Sequence, residues 1–179
     1  MIENSVKDTL VSKIRRIKIG RLIIDSGIFQ EVGKIFTGEC EHSSEKIKKL
    51  CDISWDLNNL QKLGYCHKDF HSGNILQNEH QTSYVSDFGF TGPADKQNSN
   101  DKIYGVLPYI APEVLNGELY TFASDIYSFG VIMAELSTGI LPFYDRKHDI
   151  SLALDICNGL RPDFGKGTPE FYKVLAYRF

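Results

Sequence analysis

At 179 residues, with 42% hydrophobic and 24% charged side chains, the chain is long enough for one real core and has the composition of an ordinary soluble globular protein. Its net charge of −3 argues against a nucleic-acid footprint, and the sequence holds no apolar run of membrane-spanning length and no basic-then-apolar leader. Four cysteines, Cys40, Cys51, Cys66 and Cys157, form no CxxC pair, so scattered reduced thiols in an intracellular, cytoplasmic protein are expected.

Along the chain, residues 1–43 interleave Ile14, Ile17, Ile19 and Leu22 with Arg15, Arg16, Lys18 and Arg21, a pattern open to either a strand or a basic helix. Gly27, Gly33 and Gly38 interrupt it, and the segment stays unassigned. From Ser44 a helix is expected, with Ser44 as N-cap and Gly64 as its stop. Ile47, Leu50, Leu57 and Leu60 would form its apolar face, with Cys51 and Ser54 between them. Residues 74–76 and 84–86 read as two short strands around the polar turn 78–81. Residues 90–104 have the composition of a surface loop. Residues 124–137 are apolar nearly all round, the mark of a buried helix. A further helix is expected over 149–158, with Gly159 behind it, and a last one over 169–177, capped by Thr168 with Pro169 at its first position.

The chemistry-bearing residues fall in three ordered groups. His67-Lys68-Asp69-Phe70-His71-Ser72-Gly73-Asn74 comes first, then Asp87-Phe88-Gly89, then Ala111-Pro112-Glu113. Asn74 lies five positions after Asp69, and the two short strands would return Asp87 beside them. His67, Asp69 and His71 also alternate as the ligands of a metal-dependent hydrolase would, but His42, His80 and His148 have no motif company.

Order and spacing together resemble the catalytic loop, metal-binding loop and activation-segment anchor of a eukaryotic-type protein kinase. The runs DFHSGNIL, GVLPYIAPEVL and SDIYSFGVIMAEL are similar to the tyrosine-kinase-like group, in families expanded in some fungi. The resemblance implies ATP and Mg²⁺ as cofactors, with Asp69 accepting the proton of a protein hydroxyl and Asn74 and Asp87 holding metal. It implies structural roles for His67, Lys68, Phe88 and Gly89. It also implies that Asp125 binds the backbone of the catalytic loop, and that Glu113 and Arg161 form a buried ion pair.

The chain departs from that pattern in places. Lys68 stands where many kinases carry an Arg that receives an activation-loop phosphate, and Lys lacks the bidentate fork. His71 stands where serine/threonine kinases have a Lys, and Val106 where they have a Thr that bonds the catalytic Asp. No G-x-G-x-x-G occurs among the 43 residues before Ser44, too few for a kinase small lobe. The expected fold is therefore α+β, mainly α-helical: a kinase large lobe over 44–179, ending early, with the small lobe missing. Two functions remain open. One is phosphoryl transfer from ATP to a Ser, Thr or Tyr hydroxyl of a protein substrate; the other is a catalytically inactive remnant acting as a binding or scaffold module. No nucleic-acid or membrane partner is expected.

Overall fold

A computed structural model describes residues 43–94 and 103–177. The readings made for residues 1–42 and for the middle of the polar loop lie outside these described residues. The chain divides into two compact units.

The first unit holds helix α1 (Ser43–Lys62) and the antiparallel pair β2 (Ile75–Gln77) and β3 (Ser83–Val85). The inward stripe of α1 is Leu50, Ile53, Ser54, Leu57 and Leu60, all buried. Cys51, expected on that face, is exposed and Ile53 takes its place. The reason is angular. Cys51 lies six residues before Leu57, about 120° round a helix of 3.6 residues per turn, whereas Ile53 lies only about 40° away. The helix begins at Ser43, so Ser44 lies within its first turn rather than at the cap. Gly64, the first residue of the second unit, follows with φ +83°, the left-handed conformation that a C-terminal stop requires.

Two carboxylates on α1 hold the edge of β3. Asp52 accepts the Ser83 N–H and Asp56 the Val85 N–H, each at 2.9 Å. The turn between the strands is built by Asn78, whose side-chain oxygen accepts the N–H of His80 and of Thr82 at 3.0 and 2.9 Å.

The second unit runs over residues 64–74 and from Gly89 onward. Strand β1 (Tyr65–Cys66) pairs antiparallel with β4 (Gly92–Pro93), in the register Tyr65 with Pro93 and Cys66 with Gly92. Short helix α2 (Pro112–Leu115) leads to α3 (Phe122–Thr138), then α4 (Ile150–Cys157) and α5 (Glu170–Tyr177). Helix α3 is the axis of the unit, with ten buried residues from Ser124 to Ala134. Its start is a reciprocal cap: the Thr121 hydroxyl accepts the Ser124 N–H and the Ser124 hydroxyl accepts the Thr121 N–H. The α5 helix crosses it at Gly130, where an added methyl would stand 2.5 Å from the Ala176 carbonyl oxygen. Tyr172 donates to the Met133 carbonyl at 2.9 Å and fixes the same crossing. Asp149, read as the first residue of α4, is instead its cap, accepting from Ser151 and Leu152. Thr168 does not cap α5; its hydroxyl donates back to the Gly165 carbonyl at 2.7 Å, closing the turn before the helix. No helix among the described residues is long and apolar enough to cross a membrane.

Candidate active site

The loop after β1 carries most of the expected chemistry, all within the second unit. It leaves β1 through Lys68, whose φ of +69° is unusual for a side chain with a Cβ. Such a backbone persists only when neighbours over-determine it. Asp125, near the start of α3, supplies that constraint. Its two carboxylate oxygens accept the amide N–H of His67 at 2.7 Å and of Lys68 at 3.0 Å. His67 is fully buried and Asp125 nearly so. Burial raises the Asp125 carboxyl to about 7, against the pull of the two amides and the Lys68 charge. The role expected of Asp125 is therefore present in the geometry.

Asp69 follows with its side chain 13% exposed. Asn74, at the end of the 3₁₀ turn Ser72–Asn74, donates its amide to the Asp69 carbonyl at 2.8 Å and to Asp69 Oδ2 at 3.3 Å. These bonds close the loop and set which end of the Asn74 amide carries the oxygen. Asp69 Oδ1 is buried and accepts no hydrogen bond; His71 Nε2 faces it at 3.4 Å. Asp69 also lines a small recess with Lys68, Val106, Tyr120, Ser124 and Ser128.

The remaining motif residues sit as follows. Asp87, in the first unit, is exposed with φ +55°, and Phe88 beside it is half-buried. Gly89 begins the second stretch of the second unit. Glu113 and Arg161 do not form the expected ion pair; none joins them among the described residues. Arg161 instead donates to the Ile156 and Leu160 carbonyls at 3.2 and 2.8 Å, capping the end of α4. Its guanidinium also lies 5.0 Å from the centre of the Tyr127 ring. The guanidinium is thus committed to two backbone carbonyls and an aromatic face.

Two features escaped the sequence reading. Tyr109 donates to Glu135 at 2.7 Å, shares a 3.2 Å hydrogen bond with Ser72, and offers its carbonyl to the Ser128 hydroxyl at 2.7 Å. It ties α3 to the loop of residues 67–74. The available signal was Glu135, an acid late in an otherwise apolar helix and therefore in need of a partner. The second is Tyr120, whose hydroxyl accepts the Tyr104 N–H at 2.9 Å and donates to the Tyr104 carbonyl. Tyr104 stacks on Phe90 with ring centres 4.6 Å apart, so both described ends of the polar loop meet there.

Comparison with known proteins agrees with this geometry. Residues 29–166 match the protein kinase domain family. The chain belongs to that family. A probable serine/threonine-protein kinase of Dictyostelium discoideum is 40% identical over 122 residues, covering 61% of this chain and 14% of the relative. Another from the same organism is 32% identical over 130 residues, covering 72% of this chain and 8% of the relative. Human ribosomal protein S6 kinase alpha-2 is 35% identical over 156 residues, covering 83% of this chain and 21% of the relative. The chain therefore spans less than a quarter of the length of these curated kinases. The kinase match begins at residue 29, ahead of the boundary read at Ser44, so the family likeness extends into the segment that sequence patterning left unassigned.

Proposed function

We propose that this kinase domain transfers the γ-phosphoryl group of ATP to a serine or threonine hydroxyl of a protein. The observation that carries the reading is the catalytic loop itself. Asp125 anchors its first two amides, and Asn74 holds Asp69 by backbone and side chain. Phosphoryl transfer asks for little more from the protein than such positioning, together with charge stabilisation. Asp69 takes the proton of the attacking hydroxyl as its oxygen bonds to the γ-phosphorus. The bond from that phosphorus to the β–γ bridging oxygen breaks, and ADP leaves. The serine/threonine preference rests on the relatives, which are named as kinases of that class.

Mg²⁺ takes hard oxygen ligands and usually only one or two from the protein. The described residues offer no cluster of three His, Cys, Asp or Glu that would form a protein cage. By motif, Asn74 and Asp87 are the two oxygen donors we assign to it, and bound Mg²⁺ would neutralise charge on the phosphates.

The test is transfer of labelled phosphate from Mg·ATP to a mixed serine/threonine/tyrosine peptide library, with Asp69→Asn as control. Phosphorylation of Ser or Thr positions that falls by roughly a hundredfold or more in Asp69→Asn is the expected result, the scale of a lost general base. Transfer that survives in Asp69→Asn overturns the assignment. No transfer by the unmutated chain favours the binding-module reading.

A further inference from the structure

His71 lies two residues beyond the assigned base, and its surroundings set its ring with unusual completeness. Its Nδ1 accepts the Gly73 N–H at 3.1 Å. A ring nitrogen that accepts a hydrogen bond carries no proton, so in the neutral ring the proton is on Nε2. That nitrogen lies 3.4 Å from Asp69 Oδ1, a buried oxygen that accepts no hydrogen bond. The ring has little freedom to turn elsewhere. A methyl on Gly73 would stand 2.9 Å from its Cε1, so the glycine backbone lies flat against one edge. Tyr109 packs on it with ring centres 5.8 Å apart and planes 48° apart, and Tyr109 is itself held by Ser72 and Glu135.

We propose that His71 is a positioning residue for Asp69: a neutral Nε2–H donor, keyed by the Gly73 amide, that orients the carboxylate through Oδ1 while Asn74 orients it through Oδ2. The role rests on the proposed phosphoryl-transfer reading; the contact does not. A neutral donor suits this place. It restrains the carboxylate by direction without the full positive charge that would weaken it as a proton acceptor. The 3.4 Å separation is long for a mature hydrogen bond, and such catalytic contacts commonly tighten only when substrate is bound.

Two measurements on the full chain decide it. With nitrogen-15-labelled histidine, long-range proton–nitrogen spectra at neutral pH are expected to show His71 Nδ1 unprotonated and Nε2 protonated. Asp69→Asn is expected to move the Nε2 resonance and leave Nδ1 in place. Gly73→Ala, which pushes on the ring, is expected to move both. An Nδ1-protonated ring, or an Nε2 resonance indifferent to Asp69→Asn, overturns the proposal. In the phosphotransfer assay, His71→Phe keeps an aromatic ring against Tyr109 but has no donor, whereas His71→Gln restores an N–H. Phe is expected to lower kcat roughly five- to tenfold, the scale of one lost hydrogen bond, with KM for the acceptor unchanged and Gln recovering most of the loss. Equal losses in Phe and Gln would make His71 a packing residue and overturn the positioning role. An unmutated chain without phosphotransfer refutes the proposed function, and the spectra then decide the contact alone.

Discussion

At the scale of single residues, Asp125 shows how one side chain makes a loop possible. A backbone with φ +69° at Lys68 is held by two amide bonds to a carboxylate that is itself almost wholly buried. Burial raises that carboxyl to about 7, above its unfolded value near 4. The folded protein therefore holds the proton more tightly than the unfolded chain does. The stability this group contributes is fully present below about pH 4 and is lost as pH rises through 7. Asp125→Asn cannot titrate, so it lacks this pH dependence, and its single acceptor oxygen for two amides adds a separate cost of about 1–3 kcal/mol. The stability difference between the unmutated protein and Asp125→Asn should narrow from pH 4 to 7 and stay level above 8. Urea unfolding of both proteins across that range checks this; a constant difference would mean that burial does not govern the Asp125 proton. Arg161 teaches the converse. Its pairing with Glu113 was inferred from motifs alone, yet a guanidinium has five donors and takes the acceptors nearest to it. Here those are two carbonyls at the end of α4.

At the scale of elements, the α3–α5 crossing depends on a missing side chain. The Ala176 carbonyl comes so close to Gly130 that a Cβ would meet it at 2.5 Å, against backbone that cannot swing aside. Alanine would gain about 1 kcal/mol in helix propensity, while overpacking at such a contact costs about 1–3 kcal/mol. We expect Gly130→Ala to be destabilising overall, on the order of 1–2 kcal/mol, with a lower urea midpoint and an unchanged slope. A higher midpoint would show that the helices separate freely. The loop over residues 67–74 depends on the same helix: α3 supplies Asp125 to its beginning and Glu135, through Tyr109 and Ser72, to its end. Loosening α3 should therefore lower phosphotransfer along with stability.

At the scale of the whole molecule, the chain matches a kinase domain over residues 29–166 and spans under a quarter of the kinases it resembles. Nucleotide binding is the property that links family to activity. Mg·ATP should raise the melting temperature, with about 2.7 kcal/mol of stabilisation at one hundred times Kd, and Asp87→Ala should abolish the rise if Asp87 is the metal ligand proposed above. Absence of any shift at millimolar Mg·ATP would favour the non-catalytic binding module.

The amino-acid order by itself determined the family, the catalytic loop, and helices α1, α3 and α4 to within a residue or two. These are carried by local signals: motif spacing for Asp69, Asn74 and Asp87, apolar periodicity for α1 and α3, and stop residues such as Gly64 and Gly159. The tertiary structure alone decided what depends on which groups meet. It turned Cys51 outward and Ile53 inward, gave Arg161 to the end of α4, left Asp69 Oδ1 buried with His71 beside it, and joined Tyr109 to Ser72 and Glu135. Side-chain partners are chosen by distance and competition among donors, and residues such as Tyr109 and Glu135, 26 positions apart, become neighbours only when the helix that carries one is packed beside the turn that carries the other.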